Sequence, residues 1–150
     1  MMVLARPAAA LALILGLVGC LRADLKTARA ESNLEKRSKL ALDNADDAYK
    51  AAHRAYEKGD NSLVESGARE ILESVELAYT SLKATGKDPR KSPKWFKRAE
   101  MQTRELGRKL DAFQNEMSFT ERPMLEKVKA RVQEIHDELL LGLMEGKKKK

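Results

Sequence analysis

The sequence predicts an all-α protein, built as an antiparallel, up-down-up-down four-helix bundle with a long first helix. Three observations point there. Apolar residues recur at spacings of three and four along four segments, which keeps one stripe facing a partner. Short polar breaks separate the segments, and short links between long helices place neighbours antiparallel. Charged residues make up 35% of the chain and aromatics 5%, a balance suited to amphipathic helices with wet outer faces.

The first segment is expected from about residue 24 to residue 58. Its best stripe is Leu42, Ala45, Tyr49, Ala52 and Tyr56, widened by Ala41, Ala48 and Ala55. Alanine beside tyrosine lets a neighbouring backbone come close while the rings fill the gaps. The start, from Leu21 to Asn33, has a sparser stripe (Leu25, Ala28, Leu34) and reads as a stalk reaching past the bundle. Gly59-Asp60-Asn61 breaks the chain, and Ser62 with Glu65 forms a capping-box pattern.

The second stripe is Val64, Ala68, Ile71, Val75, Ala78 and Leu82, and Gly86 stops it because glycine tolerates a left-handed helix end. Residues 87–91 form a polar loop. Ser92-Pro93 reads as an N-cap followed by proline at the first helical position. The third stripe is Phe96, Ala99, Thr103, Leu106, Leu110, Phe113 and Met117. Ser118 to Arg122 is the third break, with Thr120 as the cap and Pro123 in the first turn of the next helix. The fourth stripe is Leu125, Val128, Val132, Ile135, Leu139 and Leu143. Helices of about 25 residues reach roughly 37 Å.

Ala52, Tyr56, Gly59, Asp60 and Ala68 resemble part of a tetratricopeptide repeat over 17 residues. The helices are about twice too long for that unit, and no second copy follows at a period of about 34 residues.

The N-terminus carries an address. Arg6 is followed by a run from Ala8 to Val18 made only of Ala, Leu, Ile, Val and Gly. The run to Leu21 is 14 residues, below the roughly 18 of a membrane-spanning helix. It has the layout of a secretory signal. With Leu17-Val18-Gly19-Cys20 at its end, the segment resembles a bacterial lipoprotein signal. The resemblance covers about twenty residues. It implies lipidation of Cys20, cleavage before it and acylation of the new amine. Leu21 stands where Asp commonly retains such proteins in the inner membrane, so the outer membrane is favoured if the cell has two. Leu21-Arg22-Ala23 also offers an ordinary signal-peptidase site before Asp24.

The chain therefore divides into a signal peptide (1–19), an acylated N-terminus and stalk (20–33), a bundle (34–146) and a basic tail (147–150). Cleavage before Cys20 leaves 131 of the 150 residues, enough for one domain with a core. Cys20 is the single cysteine, so no disulfide braces the domain.

No catalytic or metal constellation emerges. A ferritin-like site needs Glu-x-x-His, but Gln133 stands three residues before His136 and Lys50 three before His53. With the first and last long helices taken as antiparallel neighbours, the two histidines lie about 15 Å apart, as boundary residues. There is no Cys-x-x-Cys-His and no glycine-rich phosphate loop, and no serine forms a recognisable arrangement with either histidine. Asp46 and Asp47 are adjacent and point in different directions. The expectation is a protein that is not an enzyme and uses no cofactor or metal.

The net charge of +6 is localised: residues 86–109 carry nine basic and three acidic side chains, and four lysines close the chain. An up-down-up-down path returns the loop at 87–91 and the C-terminus to the acylated end. That end would collect Lys87, Arg90, Lys91, Lys94, Lys97, Arg98, Lys147, Lys148, Lys149 and Lys150, with Trp95 among them. Such a basic cluster with an interleaved aromatic suits an anionic membrane surface. The same chemistry neutralises nucleic-acid phosphates, but an exported address argues against that partner. The expected function is a non-enzymatic, envelope-anchored scaffold or adaptor. It would touch the membrane through its lipid and basic end, and an envelope protein elsewhere. The alternative is a small-ligand carrier with an apolar cavity between the helices, lined by Thr103 and the tyrosines. The stripes set no oligomeric state, because amphipathic helices pair between chains as readily as within one.

Overall fold

A computed structural model describes residues 25–146. Residues 1–19, where a signal peptide is expected, Cys20 and Lys147 to Lys150 lie outside the described residues. Five helices and no strand are found among those described: α1 (Lys26–Ala30), α2 (Leu34–Glu57), α3 (Asn61–Ala84), α4 (Lys94–Glu116) and α5 (Pro123–Glu145).

The long first helix is divided. Asn33 leaves the helical conformation and its side chain accepts from the Lys36 backbone N–H at 2.9 Å, which caps α2 and ends α1 at the Glu31–Asn33 link. The stalk expectation changes with it. Leu25 and Ala28 are buried in the common core, and α1 packs on α2. Arg29 pairs with Glu73 of α3 at 3.1 Å. Lys87, just past the end of α3, pairs with Glu35 at the start of α2. Glu73 lies 11 positions before Ala84, about 16 Å back along the helix. So α1 turns back along the flank of the bundle.

The four stripes are buried as their spacing requires, except at Tyr49, Tyr56 and Leu143, which are half-buried against the core. On α2 the buried line is Ala41, Ala45, Ala48, Ala52 and Ala55 with Leu42. The small line brings α3 close: a Cβ built on Gly67 would stand 2.7 Å from the Ala52 Cβ. Tyr49 and Tyr56 flank this line and set their rings edge-on to Phe113 of α4.

Two helix starts differ from expectation. Asp60, not Ser62, caps α3 by accepting from the Leu63 N–H at 3.1 Å. At α5, Thr120 contacts Ser118 and makes no cap; Arg122 precedes Pro123 at the first helical position. The stop at Gly86 holds, with φ at +68°.

The side-by-side pairs are α2 with α3, α4 with α5, α3 with α5 and α2 with α4. The expected pairing of the first and last long helices gives way to α2 beside α4. Asp43–Gln102, Asp46–Lys109 and His53–Glu116 bridge that seam. Arg131–Glu76 and Tyr79–Glu138 bridge α3 and α5. Among the described residues, no helix is long and apolar enough to cross a membrane.

Candidate functional site: the basic end of the bundle

The loop between α3 and α4 is built by its own polar groups. The Asp88 carboxylate accepts from the Arg90 N–H at 2.9 Å, and the Asp88 carbonyl accepts from the Ser92 N–H at 2.9 Å. Pro93 then serves as the N-cap of α4, one residue later than expected, with no side-chain cap bond.

Gly142 of α5 and Gly146, which caps its C-terminus, let this loop settle on the helix end. A Cβ on Gly142 would meet the Pro89 Cγ at 3.3 Å, and one on Gly146 would meet the Arg90 Cδ at 2.9 Å. Lys87 reaches Glu35 at 2.5 Å. The loop at 87–91, the start of α2 and the end of α5 therefore share one end of the bundle. Gly146, which precedes the lysine tail in the sequence, lies beside Arg90.

The basic side chains of this end are not equivalent. Lys87 is paired with Glu35. Lys91, Lys94, Lys97 and Arg98 are exposed and form no ion pair among the described residues. Trp95 is half-buried against the core, and the Lys94 ammonium lies over its ring at 5.2 Å. It is an edge-of-core residue and not a freely projecting aromatic. The exposed apolar side chains near this end are Leu140, Leu141 and Met144 of α5 and Met101 of α4. Sequence reasoning passed over them because they fall off the stripes. A signal was present: from Leu139 to Met144 every residue is apolar or glycine, so the apolar surface runs all round the helix.

Both histidines turn toward α4. His53 Nε2 lies 2.7 Å from Glu116, and His136 Nε2 lies 3.0 Å from the buried Glu100. Those glutamates are 16 positions apart, about 24 Å along α4, further than the sequence suggested. Among the described residues no three His, Cys, Asp or Glu side chains converge as a metal site.

Two surface hollows carry charge. A groove of about 760 Å³ between α3 and α5 is lined by Arg29, Glu73, Glu76, Lys127, Arg131 and Glu134 around Leu72 and Leu77. Arg131 is held by Glu76 and Glu134, and Arg29 by Glu73. A smaller hollow of about 400 Å³ between α2 and α4 holds Asp43, Asp46 and Asp47, with Lys109 on Asp46. Burial raises the Asp46 pKa, and the Lys109 and Lys50 ammoniums more than offset it, so its carboxyl titrates below the ordinary value.

No protein-family model, no curated protein and no solved structure matches this chain.

Proposed function

We propose that the protein is a non-enzymatic helical scaffold of the cell envelope, exported, anchored through an acylated Cys20 and oriented by its basic end against an anionic membrane surface. In this reading α2 to α5 alternate in direction, up-down-up-down, and the far end and flanks meet an envelope protein. One observation carries the reading. The loop at 87–91 and the end of α5 converge, so that exposed Lys91, Lys94, Lys97 and Arg98 stand beside the point from which the lysine tail leaves. Each lysine held near an anionic surface contributes about 1 kcal/mol. The register of the cross-links supports the alternation. Gln114–Glu126, Asp111–Lys129 and Glu100–His136 run in opposite order along α4 and α5, whereas Asp43–Gln102 and His53–Glu116 run in the same order along α2 and α4.

The carrier reading draws on no comparable observation: Thr103 is buried with its hydroxyl on the Ala99 carbonyl at 2.8 Å, and the tyrosine rings pack on Phe113 or bond carboxylates.

The test is the intact mass of the mature protein from native membranes, followed by sedimentation with anionic vesicles at low salt. Expected are an acylated Cys20 and salt-sensitive binding that is lost when Lys91, Lys94, Lys97 and Lys147 to Lys150 become Gln. A chain starting at Asp24, or vesicle binding indifferent to those lysines, would overturn the reading.

A further inference from the structure

The outer face of the last turns of α5 is apolar and exposed. Leu140 is 40%, Leu141 43% and Met144 68% exposed. Leu140 and Met144 sit opposite the side on which Gly142 and Gly146 receive the loop, because they are four apart and each lies two positions from a glycine contact, while Leu141 stands a quarter-turn round the helix, three residues after Glu138 on the side that faces α3. The same face borders the seam with α4. His136, which bonds Glu100, is four residues before Leu140 on the same side of the helix. Across the seam, Lys94, Lys97 and Met101 follow one another at spacings of three and four along an exposed row of α4, with Met101 57% exposed. Leu140 and Met144 on α5 and Lys94 and Lys97 on the adjacent α4 are thus exposed at the same end of the bundle, and four lysines follow Gly146. The acidic groups on these turns are Asp137, held by His136, Glu138, held by Tyr79, and exposed Glu145.

We propose that Leu140, Leu141 and Met144 insert into the acyl boundary of an anionic lipid surface, with Lys94, Lys97 and the lysine tail on the surrounding headgroups. The inference rests on the membrane-facing reading of the basic end and makes it specific. Apolar side chains rimmed by lysines match both layers of such a surface, since binding there combines buried apolar area with attraction to anionic headgroups. A water-facing end would need only the charges. Trp95, half-buried against the core, leaves insertion to these exposed side chains.

The full chain is placed on vesicles whose acyl chains carry bromine near the headgroup, using two single-tryptophan proteins in a Trp95→Phe background. Met144→Trp reports the apolar face and Ser92→Trp reports the loop. The expected result is strong quenching and a blue shift of Met144→Trp on phosphatidylglycerol vesicles. Quenching falls by about half or more in Leu140→Ser/Leu141→Ser, which alters only exposed side chains and leaves the fold intact. If Ser92→Trp responds to anionic lipid while Met144→Trp keeps a solvent-like spectrum, insertion is wrong and the basic-end reading stands. If neither probe responds, both fall. If Met144→Trp becomes shielded without lipid in a concentration-dependent way, the face meets another copy of the chain and the lipid proposal is overturned.

Discussion

The α2–α3 pair and the α4–α5 pair solve the same packing problem with opposite materials. Between α2 and α3 the α2 side of the contact is mostly alanine and Gly67 of α3 stands against Ala52, so the backbones come close there. One buried polar cluster pins the pair: Asn44 donates to Ser74 Oγ and to Glu70 Oε1, both at 2.9 Å. On α4 and α5 the buried stripes carry larger side chains, Leu106, Leu110 and Phe113 on one and Leu125, Val132 and Ile135 on the other, and the seam between them is closed by Glu100–His136 and by Gln114 with Glu126. A backbone approach punishes added atoms, whereas a side-chain core punishes lost ones.

The largest effect is therefore expected on the α4 side. Phe113 is fully buried against Tyr49, Tyr56 and His53. Phe113→Ala should lower stability by about 4 kcal/mol in urea unfolding. A loss under about 1 kcal/mol would contradict a dense side-chain core there. His136→Ala leaves the buried Glu100 without its nearest partner on α5, with Arg104 3.6 Å away as the remaining cation. A cost of about 2 kcal/mol is expected, and His136→Gln should recover part of it.

Two of the helical glycines, Gly67 and Gly107, give the sharpest contrast. An added Cβ at Gly67 meets Ala52 at 2.7 Å, while at Gly107 the nearest atom is Val132 Cγ1 at 3.8 Å. Both substitutions to alanine gain helix propensity of up to about 1 kcal/mol. At Gly67 overpacking of about 1–3 kcal/mol exceeds the gain, so Gly67→Ala should destabilise. Gly107→Ala should raise the unfolding midpoint. If both raise it, the α2–α3 approach is looser than described.

The smallest effect is on pH. The Asp46 carboxyl titrates below its ordinary value of 3.8, so its contribution is present above about pH 4 and lost as pH falls through the lowered value. Lys109→Met removes much of that lowering, so stability should fall at neutral pH and the decline on acidification should become shallower. Urea midpoints at pH 7 and pH 3 read the difference. At the alkaline limit Tyr49 and Tyr79 titrate above their ordinary 10.0, through burial and then Glu116 and Glu138 respectively. Their stabilisation is complete below that value and declines as pH rises beyond it.

The contrast between the pairs was partly visible in the sequence. The alanines of α2 and the larger residues of α4 and α5 stand on their stripes at helical spacing, and periodicity is a local property. What α2 lost in prediction was the weight given to Tyr49 and Tyr56. Alanine carries little hydrophobic signal, so the tyrosines dominated a stripe whose centre is the alanine line. The candidate site was legible as a basic segment, but not in its pairing or its apolar face. Lys87 has the charge of its neighbours, and only the fold brings Glu35 to it.

The amino-acid sequence by itself determined four long amphipathic helices, their breaks at Gly59, at Gly86 and from Ser118 to Arg122, and the clustering of positive charge between residues 86 and 109. Each follows from residues within a few positions of one another, where helix geometry and glycine or proline stereochemistry act. Only the tertiary structure decided that α1 folds back with Leu25 and Ala28 buried, that α2 adjoins α4, and that Leu140, Leu141 and Met144 are left outside. Those outcomes depend on which faces meet across the bundle, a competition among distant surfaces that no local spacing records.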